Sequence, residues 1–416
     1  MKIYTYQPQA NARGGDQQIP PLAPDVSSVR FGKEVLLYSD EPQEQQPPVS
    51  ASRGARMPRR DEEVTKDRMH IVVQNGRLFQ QHHPDVPVIH DRGRFLLVDI
   101  DREQARKLAD QNETCFGIFP LQDNQVVFDT RAPVAGRAPQ EFIQKLVDKV
   151  SRASIESNLT KLVSFPTRNS TSTGYGDAAT FARKQLKDLN YQTRLQVVTV
   201  GTGKSRNIIA DKPGAGSGTR DVVIASAHLD SINLQGGPSA PAPGADDNGS
   251  GSAGLLEIAR AFRDHRSKHD LRLILFGGEE QGLFGSKRYV ASLTRSERKR
   301  IRAVVNMDMI GSLNSDSRSV LLEGAPLSQA VIDGLAQAAA TYTQLAVETS
   351  LNPFASDHVP FIDAQIPAVL TIEGADNANK RIHSANDTLN KIDFEIAQEI
   401  VRMNIGFIAS EIGAIS

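Results

Sequence analysis

The chain has 416 residues and a formal net charge of −1, from 48 Lys and Arg against 49 Asp and Glu. This balance argues against nucleic acid as a partner, because affinity for a polyanion rests on an excess of basic side chains. The single cysteine, Cys115, excludes an intrachain disulfide and a cysteine-based zinc site. No apolar run reaches the ~18 residues of a transmembrane helix, and no apolar stretch typical of a signal peptide is visible near residue 1.

Residues 1–69 differ from the rest of the chain. They are rich in proline and glutamine, and 53–68 are strongly charged. Such a composition buries too little apolar surface to offset the entropy of ordering the chain. We therefore expect a largely disordered or extended arm, in which the patch VSSVRFGKEVLLYSD (26–40) is able to form a strand or two.

A regular pattern begins at residue 70. Short apolar, β-branched segments alternate with one segment of helical periodicity, which predicts the order strand, strand, helix, strand, strand. These segments are 70–80, 94–101, 102–111, 116–121 and 124–130. Residues 70–136 are therefore predicted to be a small α/β accessory domain.

Residues 137–416 are predicted to be the large domain. A long helical segment, 141–163, opens it, and apolar strands then alternate with helices. The predicted strands are 193–200, 207–213, 221–228, 271–277, 301–311, 319–324 and 367–374, and the other helices are 177–189, 251–265, 282–293, 328–342 and 393–412. This alternation predicts an α/β fold, a three-layer sandwich with a mostly parallel, mixed central sheet and helices on both faces.

Carboxylate and imidazole side chains follow the strands of this predicted sheet. They are His228 with Asp230, Glu279 with Glu280, Asp308 and His383, and a Gly-rich turn contains Asp246 and Asp247. Each alone is more typical of a hydrogen-bonded structural residue, a helix N-cap or a solvated surface. Ligands in open α/β sheets bind at the carboxyl ends of the strands, and unpaired carboxylates in apolar surroundings are costly. Their convergence at one sheet edge therefore indicates a metal site.

Five segments in this order resemble the M28 family of dizinc aminopeptidases. They are HLDS (228–231), PGADDNGSG (243–251), FGGEEQGLFGS (276–286), NMDMIG (306–311) and IHSANDT (382–388). The resemblance covers about residues 140–416. It implies an enzyme that hydrolyses N-terminal residues from peptides with a free N-terminus. The preceding α/β unit is similar in position to the propeptides of some secreted members, and docking of this region on the peptidase domain is left open.

The resemblance also implies a role for each polar residue. His228 and Asp308 would hold one zinc ion, Glu280 and His383 the other, and Asp247 would bridge the two; Glu279 would be the general base, and Asp230 would orient the imidazole of His228. A set of nitrogen and oxygen ligands suits zinc and accepts cobalt or manganese. A hydroxide bridging the metals would attack the peptide bond, and Glu279 would carry its proton to the leaving amine.

Other residues are weaker candidates. Asp357 and His358 are expected to form a local polar network, His82, His83 and His90 to lie exposed in a turn, and Phe354 and Phe361 to be core residues rather than walls of a substrate pocket. No GxSxG motif indicates a serine hydrolase.

Two alternatives stay open. One is another M28-type metallohydrolase, such as a carboxypeptidase, a dipeptidase or a glutaminyl cyclase-like enzyme. The complete set of five ligands argues against a cyclase, which uses a single zinc. The other is a binding protein without activity, whose signature would be the loss of ligands.

Overall fold

The computed structural model describes residues 2–6, 26–39, 64–110, 116–131 and 135–415. The chain divides into two compact units, Met1–Ala132 with Glu348–Phe354 and Pro133–Val347 with Ala355–Ser416. The disorder predicted for most of residues 1–69 lies outside the described residues. Among the described helices, none combines the length and the apolar character needed to cross a membrane.

The first unit contains mainly short strands. Its elements are β1 (Lys2–Tyr6), β2 (Val26–Phe31), β3 (Glu34–Ser39), β4 (Met69–Gln74), α1 (Leu78–His82), β5 (Val88–Arg92), β6 (Phe95–Asp99), α2 (Arg102–Asp110), β7 (Phe116–Pro120) and β8 (Gln125–Thr130). An antiparallel sheet has the order β5-β6-β4-β7, and helix α2 buries Ala105 and Leu108 in the same core as Val72 and Leu96.

Three elements of this unit were not predicted, and the first is β1, within the arm expected to be largely disordered or extended. The sequence predicted a strand throughout 70–80, but β4 ends at Gln74 and the short helix α1 follows. Strand β5 is half-buried to exposed and ends in His90, Asp91 and Arg92. It therefore lacks the apolar run that identifies a buried strand.

The second unit alternates strands and helices. Its elements are α3 (Glu141–Val147), α4 (Arg152–Val163), α5 (Thr173–Asp188), β9 (Gln192–Val200), β10 (Gly203–Lys212), β11 (Val222–His228), α6 (Gly251–Phe262), β12 (Asp270–Phe276), α7 (Phe284–Ala291), α8 (Arg295–Arg300), β13 (Ile301–Met307), β14 (Ser319–Glu323), α9 (Gln329–Tyr342), β15 (Ala346–Ser350), α10 (Val359–Asp363), β16 (Ala368–Glu373) and α11 (Phe394–Ile412).

The sheet of the second unit has the order β14-β16-β13-β11-β12-β10-β9. Strands β16, β13, β11 and β12 are parallel, and β14, β10 and β9 pair antiparallel at the two sides. Along β11, Val223 and Ala225 pack in one core with helices α4, α6 and α11, whereas Ile224 packs in a second core with Tyr289 of α7 and Phe361 of α10. The predicted mostly parallel, mixed sheet with helices on both faces is confirmed.

The segment 141–163, for which the sequence predicts helical structure, forms two helices. The chain breaks between α3 and α4, where the hydroxyl of Ser151 accepts a hydrogen bond from the amide of Ser154 at 3.3 Å. The Ser151 amide in turn donates to the buried carboxylate of Glu257 at 2.6 Å. A serine cap satisfies amides that a continuous helix would bond internally, so a new helix begins here.

Strand β15 begins in the second unit, and its residues from Glu348 onward belong to the first unit. Glu348 pairs with Thr130 of β8, and the hydroxyl of Ser350 donates to the carbonyl of Val127 at 2.9 Å. The first unit is thus built from two separate stretches of chain.

Candidate metal centre

The predicted ligands lie at the carboxyl ends of the parallel strands. His228 is the last residue of β11, Asp308 follows β13 directly, and Glu279 and Glu280 lie in the turn after β12. Asp247 lies in the turn that leads into α6. Because parallel strands end at the same edge of a sheet, segments far apart in sequence meet there.

His228 and Asp308 form the first ligand group. The Nε2 atom of His228 is 3.1 Å from Oδ1 of Asp308 and 3.2 Å from Oδ1 of Asp247. The Glu279 carboxylate is 3.9 Å from the same nitrogen. His228 is almost fully buried, so its imidazole faces carboxylates and not bulk water.

His383 and Glu280 form the second group. The Nε2 atom of His383 is 3.1 Å from Oε2 of Glu280 and 3.0 Å from Oδ2 of Asp247. Asp247 therefore directs one oxygen toward each histidine. The second oxygen of Glu280 is buried and has no hydrogen-bond partner.

These residues fit a metal ion by donor type and by spacing. Ligand atoms of His228, Glu279 and Asp308 lie within 4.8 Å of one another, and so do those of His228, Asp247 and Glu280. Imidazole nitrogens and carboxylate oxygens are ordinary ligands of zinc. The orphaned oxygen of Glu280 is the kind of buried polar atom that an ion satisfies.

Burial and mutual repulsion shift the pKa values of the carboxylates. Burial, with the nearby Asp308 and Asp357, raises the pKa of Glu279 well above its usual range. Burial, with Asp247, raises the pKa of Glu280 to about 7. Without a metal, the raised pKa values favour protonated Glu279 and Glu280. A bound cation would instead compensate the negative charge of these carboxylates.

The pKa values of the two histidines are raised by the same carboxylates. Burial alone would lower the pKa of His228, but Asp308 and Glu279 outweigh it and raise the pKa well above the usual range. Glu280 and Asp247 outweigh burial in the same way and raise the pKa of His383.

Asp230 connects the two ligand-bearing turns. Its carboxylate accepts hydrogen bonds from the amides of Glu279 at 3.4 Å and Glu280 at 3.2 Å. Its main-chain carbonyl is 3.2 Å from Nδ1 of His228, and its nearest carboxylate oxygen is 3.7 Å from that nitrogen. Asp230 was predicted to orient the imidazole of His228, and it contacts that imidazole mainly through its backbone carbonyl.

Asp246 lies outside the ligand groups. Its carboxylate accepts hydrogen bonds from the amide of Gly311 at 2.9 Å, the hydroxyl of Ser312 at 2.5 Å and the side-chain amide of Asn379 at 2.7 Å. Its side chain is committed to the protein, whereas Asp247 next to it is directed at the histidines.

Two further residues that support the site, Asp387 and Ser356, are not among the predicted site residues. Asp387 accepts hydrogen bonds from the amides of Asp246 and Asp247, both at 3.0 Å, and burial raises its pKa to about 7. Ser356 donates to the second oxygen of Asp308 at 2.7 Å. Asp387 lies within the quoted segment IHSANDT, which was the available signal, and no local pattern marks Ser356.

Among the weaker candidates, Asp357 and His358 are fully buried. The Nε2 atom of His358 is 3.5 Å from the carboxylate of Glu323, and neither residue joins the two ligand groups. Phe361 is a core residue beside Tyr289, with ring centroids 5.8 Å apart.

The prediction that His82, His83 and His90 all lie exposed was wrong in part. His82 is exposed, but His83 packs on Phe79 and Phe116, and His90 is 3.3 Å from the carboxylate of Glu34. Phe354 lies in the first unit against Gly117.

Comparison with known proteins gives one family. The model of peptidase family M28 matches residues 207–408. A probable leucine aminopeptidase of Trichophyton verrucosum (strain HKI 0517) is 28% identical over 334 residues, 76% of this chain and 89% of that protein. Leupeptin-inactivating enzyme 1 of Streptomyces exfoliatus is 32% identical over 262 residues, 60% of this chain and 56% of that protein.

Solved structures share the fold. The Legionella pneumophila LapA aminopeptidase aligns with a TM-score of 0.61 at 19% identity, over 84% of this chain and 99% of that one. BSAP, a zinc aminopeptidase from Bacillus subtilis, aligns with a TM-score of 0.57 at 17% identity, over 63% and 95%. Together with the order of the segments that carry the predicted ligands, these similarities support membership of peptidase family M28, among its aminopeptidase-like metallopeptidases.

Proposed function

We propose that the protein is a dizinc aminopeptidase that removes residues from the free N-terminus of peptides. The observation that carries the proposal is Asp247, whose two oxygens lie 3.2 Å from His228 and 3.0 Å from His383. One carboxylate that faces two histidine-containing groups is suited to bridge two ions. The relatives named as aminopeptidases support the same activity.

In this proposal the ligands divide as the distances group them. His228 and Asp308 hold one zinc ion, His383 and Glu280 hold the other, and Asp247 contacts both. Two zinc ions, when bound, lower the pKa of a water molecule and polarise the carbonyl of the scissile bond. Cobalt or manganese would be accepted by the same ligands.

Glu279 is the proposed general base. Its neighbour Glu280 faces His383, whereas the Glu279 carboxylate is on the His228 side of the site. A base must accept a proton from the attacking water and deliver it to the amine that leaves.

Asp230 and Asp387 are proposed to position the ligands. Asp230 fixes the backbone of Glu279 and Glu280, and Asp387 fixes the backbone of Asp247. Each buried carboxylate satisfies amides that would otherwise be unpaired, so the turns that hold the ligands are fixed before substrate binds.

We further propose a division of the chain into an arm at 1–69, an accessory domain at 70–136 and a peptidase domain at 137–416. Whether the accessory region docks on the peptidase domain and inhibits it is tested by measuring turnover with and without residues 1–136. Equal turnover of both forms would remove an inhibitory role.

The activity is tested with one peptide presented with a free N-terminus and again acetylated, with and without a chelator. We expect mass spectrometry to show stepwise loss of N-terminal residues from the free peptide only, abolished by the chelator. Cleavage of the acetylated peptide would leave another metallohydrolase. Zinc content tests whether Asp247 bridges the two ions. Wild-type protein should hold two zinc ions, and retention of both ions by D247A would show that Asp247 is not the bridge.

A further inference from the structure

Arg168 is a fully buried cation whose side chain, among the described residues, donates hydrogen bonds to backbone carbonyls alone. Its Nε donates to Leu229 at 2.8 Å, and its two terminal nitrogens donate to Pro243 at 2.5 Å and Gly244 at 2.8 Å. A further bond reaches Leu162 at 3.3 Å, in the last turn of α4, where helical carbonyls lack internal partners. One guanidinium thus joins three segments of chain.

These segments surround the proposed ligands. Leu229 follows His228 directly, and Gly244 lies three residues before Asp247. The loop between them is tied to Arg168 a second time, because the hydroxyl of Ser231 accepts from the Arg168 amide at 3.2 Å and donates to the carbonyl of Ala242 at 2.7 Å. Arg168 therefore fixes both ends of the loop that separates two metal ligands.

The same stretch of chain also reaches the Glu279–Glu280 turn. Ser170 is buried, and its hydroxyl donates to the side-chain oxygen of Gln281 at 2.5 Å. Gln281 follows Glu280 in sequence. Residues 168–170 therefore connect the two ligand-bearing turns from outside the segment 207–408 that matches the family model.

The contacts require an arginine. A planar guanidinium donates along several fixed directions at once, whereas an ammonium is a point charge. Burial lowers the pKa of Arg168 to about 10, so the group remains charged at neutral pH. No carboxylate of the described residues accepts a hydrogen bond from it, although the nearby charges of Asp387, Asp230, Asp247 and Glu280 raise its pKa against the effect of burial.

We propose that Arg168 is a positioning residue of the metal site: it holds His228 and Asp247 at the separation that zinc requires, by bonding the backbone at both ends of the loop between them. This proposal rests on the zinc site proposed above. According to this proposal, Arg168 contributes to the affinity for zinc although it lies outside the segment that matches the family model.

The test is competition for zinc between a chromophoric chelator and the metal-stripped full chain, well below the unfolding temperature. We expect R168M and R168K to bind zinc about 10–100-fold more weakly than wild type, the usual effect of removing an outer-shell partner. R168K keeps the charge, so weaker binding in both variants assigns the effect to the bonding geometry. R168M binding zinc as tightly as wild type, or more tightly, would overturn the proposal.

The matched control is R272M. Arg272 is mostly buried too, but it bonds Asp211 and Tyr289 near the opposite end of β12. We expect R272M to lose stability and to keep wild-type zinc affinity; equal weakening in R272M would mean a general effect and overturn the proposal.

If R168M does not fold, S231A supplies the comparison, because it removes only the second tie of the loop. We expect weaker zinc binding in S231A, and unchanged affinity there would contradict the positioning role. Failure of the wild-type chain itself to bind zinc would overturn the metal site together with this proposal.

Discussion

Glu279 and Glu280 are adjacent in sequence, yet their carboxylates have different surroundings. Glu280 is 3.1 Å from His383, whereas Glu279 is near Asp308 and Asp357, whose charges raise its pKa further. Two neighbouring side chains leave the backbone in different directions, so one can bind a metal while the other stays available for proton transfer. In our proposal, metal binding by Glu280 and proton transfer by Glu279 are therefore carried out by two adjacent residues.

This difference predicts different results for two matched substitutions. E279Q should keep its zinc and lower kcat by about 10²–10⁴-fold, because only proton transfer is removed. E280Q should lose zinc as well as activity, because a ligand is removed. Zinc content by elemental analysis and turnover of an aminoacyl anilide measure both effects. Near-normal turnover of E279Q would assign the base to another residue.

The raised pKa values predict that zinc binding releases protons. In the metal-free protein His228 and His383 are protonated at neutral pH, and Glu280, with a pKa of about 7, is partly so. A metal must displace these protons, so the number released should fall as the pH rises from about 6 to about 8. Calorimetry in buffers of different ionisation enthalpy measures that number. Proton release that does not depend on pH would contradict these pKa directions.

At the scale of elements, the strands and the ligand segments were predictable because the signals are local. Apolar, β-branched runs identify the strands around β11 and β13, and the ligands follow them within a few residues. The contacts of Arg168 were not predictable, and Asp387 was marked only by its place in the segment IHSANDT. Arg168 bonds a carbonyl 76 residues away, and Asp387 bonds an amide 140 residues away. Such contacts exist only once the fold is formed.

Helix boundaries show the same limit. The break at Ser151 depends on a cap and on Glu257, more than a hundred residues later, whereas α8 has the sequence RSERKR and no apolar position that would reveal it. By contrast, Asp393 is a readable cap at the start of α11. Its carboxylate accepts from the amides of Glu395 at 2.8 Å and Ile396 at 3.3 Å.

Replacement of this cap should lower stability without affecting the site. We expect D393A to reduce the free energy of unfolding by about 1 kcal/mol, because α11 loses the acceptor for its first amides. D188A, which removes an exposed carboxylate paired only with Lys184, should cost less than about 0.5 kcal/mol. Urea unfolding measures both, and turnover should stay at the wild-type level. Equal midpoints for the two variants would show that the cap contributes nothing.

At the scale of the whole molecule, the first unit is formed from two separate segments of the chain. Residues Glu348–Phe354 belong to the first unit, although second-unit sequence precedes and follows them. The side-chain amide of Asn352 donates to the carbonyl of Val127 at 2.7 Å, in addition to the bond from Ser350. Removal of the N-terminal region therefore removes partners from a segment that remains.

A chain without residues 1–132 should show this loss locally. We expect the amides of 348–352 to exchange hydrogen faster in the truncated protein, while the amides of β11 and β13, in the buried centre of the sheet, keep their protection. Hydrogen exchange followed by mass spectrometry compares the two forms. Loss of protection in β11 would show that the first unit supports the peptidase fold as a whole.

The interleaved connection also sets an order of events during synthesis. About 220 residues separate Thr130 of β8 from its partner Glu348 in β15. At about 5–20 residues per second, a ribosome needs roughly 10–45 seconds to make that stretch. During this interval β2 is available to pair with β8, but β15 is not. The first unit therefore begins to emerge before the second, yet it is completed only after most of the sequence of the second unit has emerged.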